Sequence, residues 1–123
     1  MEDIYIMEFK DNIPSNLPSI LNQVEEVGQS IFALFEQGCF NYRVTRLQRK
    51  QLYLAIQEKL SFMEQKFKIQ GVGMLVQEAV RQMKATNRLI LDEGEPIELS
   101  QQLLRMQIEE TENIIRKYCQ GGI

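Results

Sequence analysis

The sequence predicts an all-α, up-down-up-down four-helix bundle, and three observations carry that expectation. Apolar residues recur at three- and four-residue steps over long stretches. Only seven Gly and three Pro occur in 123 residues, and they cluster at a few points where regular structure would end. Four such stretches of matched length follow one another with short connections, which favours antiparallel neighbours. At this length one domain is expected, since domains most often run to about 100–150 residues. An apolar content of 44% with 25% charged residues is ordinary for a chain that folds on a hydrophobic core.

A leader, residues 1–14, precedes the helical domain assigned to 15–123. Ile4, Ile6 and Phe9 alternate there, which suits an extended arm. Such an arm covers one end of the core or crosses to a second subunit; the second is expected here, and with it a homodimer. The first helix is expected over about 16–37, between Pro14–Pro18 and Gly38, with Asn16 as N-cap and Gly38 as the C′ residue. Leu17, Leu21, Val24, Ile31, Leu34 and Phe35 form its stripe. Gly28 falls at the break in that stripe, on the buried side, where a missing side chain admits a close neighbour.

The second helix is expected over 45–70. Thr45 and Gln48 have the spacing of a capping box. Tyr53, Ile56, Leu60, Met63 and Phe67 share one stripe, and Gly71 and Gly73 end the run. A third helix over 72–93 carries Val72, Val76, Ala79, Met83 and Ile90 and stops before Gly94. The fourth, over 96–119, opens on Pro96, whose fixed φ suits a first turn. Ile97, Leu104, Ile108, Thr111, Ile115 and Tyr118 form its stripe. Six Met and the set Phe32, Phe35, Phe40, Phe62 and Phe67 read most simply as core.

Composition excludes much bundle chemistry. Histidine is absent, which removes Ser–His and Cys–His pairs, two-His zinc sites and the Glu-x-x-His motif of di-iron bundles. Cys39 and Cys119 make no secreted disulfide framework, and the acidic start lacks the pattern of a signal peptide. No run approaches the roughly 18 apolar residues of a membrane helix. A cytoplasmic protein with reduced thiols is expected. Gly71-x-Gly73 is too short for a phosphate loop, and Glu109, Glu110 and Glu112 read as a solvated face. No metal, cofactor or catalytic constellation is expected, so the chain reads as a non-enzyme.

The net charge of −3 conceals a segregation. Residues 1–42 carry one lysine against seven acids, residues 43–91 ten cations against three acids, and residues 92–123 three cations against seven acids. The densest basic cluster, Arg43, Arg46, Arg49 and Lys50, stands at the start of the second helix, where the macrodipole favours acids instead. Arg46 and Arg49 also continue the apolar stripe by one heptad from Tyr53 and Ile56. In an up-down-up-down bundle this cluster shares an end with Asp92, Glu93, Glu95 and Glu98, and pairing within the chain is its simplest explanation. The sharper reading is a binding site in which Arg43, Arg46, Arg49 and Lys50 meet an anionic partner, with Phe40 and Tyr42 stacking beside them. The function expected from all of this is an adaptor, regulator or assembly subunit acting on a protein partner. The alternative is a nucleic-acid-associated component using the same basic cluster, against which the sequence pI of about 5.1 counts.

Overall fold

A computed structural model describes residues 17–38 and 44–119. Among them are four α-helices: α1 (Leu17–Gly38), α2 (Arg46–Gln70), α3 (Met74–Asn87) and α4 (Ile97–Cys119). One 3₁₀ turn, Arg88–Leu91, follows α3 directly. Each helix packs on its neighbours in the chain, and α4 closes the square against α1. This is the four-helix bundle that the periodicity predicts. The leader, the Asn16 cap and the segment holding Phe40, Tyr42 and Arg43 lie outside the described residues.

The start of α2 is built as its sequence dictates. The Thr45 Oγ1 accepts from the Gln48 N–H at 3.1 Å, and Gln48 Oε1 accepts from the Thr45 N–H at 2.9 Å. Two of the N–H groups that a helix start leaves without partners are thereby satisfied. The helix ends at Gly71, held at φ 70° and ψ 30°, a left-handed conformation natural to glycine. Its N–H bonds to Lys68 O, while Val72 N–H reaches back to Phe67 O at 3.0 Å and its side chain enters the core. That turn reverses the chain into α3.

The core follows the stripes closely. Val24, Ile31 and Phe35 of α1, Ile56, Leu60, Met63 and Phe67 of α2, Val76 and Met83 of α3, and Leu104, Ile108 and Ile115 of α4 are all buried. Ile20, Leu52 and Val80 join them beyond the expected set, while Leu21, Leu34 and Tyr53 pack only partly against this cluster. Gly28 does what its position implies, for a Cβ there would stand 3.0 Å from Ile108 Cγ2. α1 and α4 approach through that missing side chain. Arg105 lies over the Phe32 ring at 4.5 Å, sheltering a half-buried aromatic at the same interface. Arg116, which reaches Glu25 at 3.7 Å and Glu112 at 3.5 Å, ties the two helices again.

Two expectations need correction. The third helix does not run to residue 93. Asn87, fully buried, gives its amide hydrogens to Tyr53 O and Gln57 Oε1 of α2, and beyond it the backbone tightens into the 3₁₀ turn. The tighter winding delivers Ile90 into the core at 0% exposure. Nor are all the phenylalanines and methionines core: Phe62 is 65% exposed, Met74 56% and Met106 51%. Phe62 precedes the buried Met63, and adjacent helical positions lie about 100° apart, so both cannot face inward.

Replacing Gly28 by Leu is expected to destabilise the bundle by about 1–3 kcal/mol through overpacking against Ile108. Chemical denaturation of Gly28→Leu, Ile108→Ala and the double variant checks this. The pair must lose less together than the sum of the two alone.

Candidate functional site

The basic start of α2 is the first place to look, and the bundle sorts its members into different roles. Arg49 is drawn into the seam between α2, α3 and α4 and is only 8% exposed. Its guanidinium forks onto three main-chain carbonyls. Nη1 donates to Ile90 O at 3.1 Å and Asp92 O at 2.9 Å, and Nη2 donates to Glu95 O at 3.0 Å. These carbonyls lie at the end of the 3₁₀ turn and in the loop before α4, where the ladder of helical hydrogen bonds is interrupted; Asp92 O also accepts from the Glu95 N–H at 3.0 Å. A planar donor fork suits this task, because several carbonyls can be bound from one rigid group.

Arg46, one turn earlier, points outward with its side chain 87% exposed and meets Glu93 at 2.8 Å. The hydrogen bond and charge of Arg46 hold the Glu93 carboxyl below the ordinary carboxylate range. The pair joins the start of α2 to the turn before α4, as expected from two ends brought together. Lys50 is exposed and lines the open groove between α2 and that turn, with Arg46, Tyr53, Leu54, Leu91, Asp92 and Glu93. Of the sequence-predicted binding residues, then, the structure brings together Arg46, Arg49 and Lys50; Phe40, Tyr42 and Arg43 lie outside the described residues. The helix C-terminal side of the bundle has its own charge ties, since Glu64 of α2 pairs with Lys84 at 3.1 Å and Arg81 at 3.7 Å on α3.

A second surface was not anticipated. Opposite its buried stripe, α2 carries four large apolar residues in water: Leu47 (63% exposed), Leu54 (52%), Phe62 (65%) and Ile69 (86%). Gln51, Glu58 and Gln65 fall between them and are exposed as well. At about 100° per residue these seven positions lie in a band about 80° wide along the helix. They form one continuous ridge, flanked by Lys50, Lys59, Lys66 and Lys68. The Lys66 ammonium sits 5.7 Å from the centre of the Phe62 ring. Scattered exposed apolar residues need no explanation, but a row of four along a single helix makes a candidate contact surface. Its sequence signal is a second set of steps of seven, eight and seven residues, running out of phase with the core stripe.

Other candidates carry less. Glu112 has a raised carboxyl pKa, chiefly from burial, with Glu25 and Glu109 adding to the rise and Arg116 opposing it. Among the described residues no three acidic or cysteine side chains converge as a metal site, and no helix is long and apolar enough to cross a membrane. No family model, no curated protein and no solved structure matches the chain.

Two outcomes follow from this geometry. Arg49→Leu removes three hydrogen bonds to loop carbonyls and should cost about 2–4 kcal/mol in urea denaturation, with Arg49→Lys recovering less than half. Arg46→Ala, which breaks only an exposed pair, should leave the midpoint almost unchanged. The second outcome concerns pH. Because Glu112 is more easily protonated folded than unfolded, its contribution to stability is present at low pH and is lost as pH rises through its folded pKa. Denaturation at stepped pH should show wild type gaining stability relative to Glu112→Gln as pH falls through the carboxylate range.

Proposed function

We propose that this chain is a non-catalytic binding and assembly protein of the cytoplasm, an adaptor or complex subunit acting through protein–protein contacts. The observation that supports it is the apolar ridge of α2, Leu47, Leu54, Phe62 and Ile69, standing in water on a helix whose core face is already filled. Large aliphatic and aromatic side chains in such a row gain by being covered, at about 25 cal/mol for each Å² removed from water. The lysines beside them keep the uncovered form in solution and give a partner a charged rim to read.

The nucleic-acid alternative has less support from the same residues. Arg49 spends its donors on carbonyls and Arg46 lies on Glu93, so fewer cations of the cluster face a phosphate. Phosphate binding draws its strength from the number of charges neutralised.

A photo-crosslinking residue at position 62, against a control at exposed Glu109 on α4, tests the proposal in cells producing the full chain. Protein adducts from position 62 and none from 109 are expected. An equal yield from both positions, or none from either, would overturn it.

A further inference from the structure

The ridge has an internal symmetry that names its occupant. Glu58 stands at its centre. Leu54 and Phe62 lie four residues to either side, Gln51 and Gln65 seven, and Leu47 and Ile69 eleven. The order of residue types therefore reads the same in both directions: apolar, Gln, apolar, Glu, apolar, Gln, apolar. A two-fold contact between identical helices running antiparallel sets each position against its mirror across the centre. Here every apolar residue would meet an apolar residue and every glutamine a glutamine.

Charge does not choose the orientation. Lys66 and Lys68 flank the Ile69 end of the ridge, and near the other end Arg46 already pairs with Glu93 while Lys50 lines the groove with Leu54 and Asp92. Antiparallel docking sets Lys50 against Lys66 and Glu58 against Glu58, so the matching of apolar residues and of glutamines carries the pairing against that repulsion.

We propose that the α2 ridge binds a second copy of this chain, α2 against α2 antiparallel, about a two-fold axis at Glu58. This deepens the assembly reading above and rests on it. One helix face in each copy gives a contact at the small end of specific interfaces, below about 1,200 Å² in total. The dimer is accordingly reversible, and Glu58 facing Glu58 holds it back further.

Sedimentation equilibrium of the full chain over a wide concentration range is the test, with circular dichroism to confirm unchanged helix content. Wild type should move from monomer to dimer. Leu54→Lys should stay monomeric, because each lysine then faces Phe62 of the other copy. Leu54→Lys/Phe62→Glu should dimerise again, because residues 54 and 62 face each other across the axis but stand two turns apart within one helix. Both positions are exposed, so neither change disturbs the core. A monomeric wild type at every concentration, or a double variant as monomeric as the single one, overturns the inference. If crosslinks from position 62 run to a different protein, or to residues 1–16 of the same chain, the ridge belongs to that occupant. The two-fold contact then fails, and a crosslink to a different protein leaves the assembly reading standing.

Discussion

The fork of Arg49 onto Ile90, Asp92 and Glu95 decides how α4 enters this bundle. The connection between α3 and α4 is a 3₁₀ turn and a few loop residues, whose own backbone bonds, Asp92 N–H to Leu89 O and Glu95 N–H to Asp92 O, are all local. Asp92 turns the loop with its own side chain, accepting from the Gly94 N–H at 2.9 Å. Arg49 joins that local turn to α2, forty residues away in the chain. With the loop pinned, Ile90 fills the core and α4 starts in register to present Leu104, Ile108 and Ile115 inward. The approach of Ile108 to Gly28 depends on that register, because one residue of slippage would set a different side chain against the glycine.

Placing a cation at the end of an apolar seam is costly unless its donors are satisfied. Carbonyl partners solve this without a buried counter-charge. The carbonyls need donors as much as the guanidinium needs acceptors, so the two deficits offset each other. Asn87 likewise satisfies its two amide hydrogens on another helix, linking the end of α3 to Tyr53 and Gln57. At the surface the same end of α2 behaves otherwise. Arg46 and Glu93 pair in water, where such contacts add little to stability and chiefly set the local charge.

The fold was readable from the sequence because its strongest determinants are local. The capping box at Thr45, the left-handed Gly71 and the three-four spacing of Ile56, Leu60, Met63 and Phe67 are each properties of a short segment. The extent of α3 was not readable, since it ends where Asn87 finds partners on another helix. Arg49 could be seen to lie on the seam, but backbone carbonyls leave no mark in a sequence, so acidic side chains stood out as the apparent partners. The ridge was concealed differently. Once one stripe of α2 satisfies a bundle, Leu47, Leu54, Phe62 and Ile69 look like surplus core rather than a second face. Only the filled core shows that they are left over. α2 therefore presents two apolar faces on opposite sides, one filled within the chain and one standing in water.

The most direct test of this picture is nuclear magnetic resonance of the Arg49 guanidinium at low temperature. Separate, slowly exchanging Nη resonances are expected, with couplings across hydrogen bonds to the carbonyl carbons of Ile90, Asp92 and Glu95. A single averaged Nη signal exchanging as fast as that of an exposed arginine would show the fork to be absent. The placement of α4 would then need another cause.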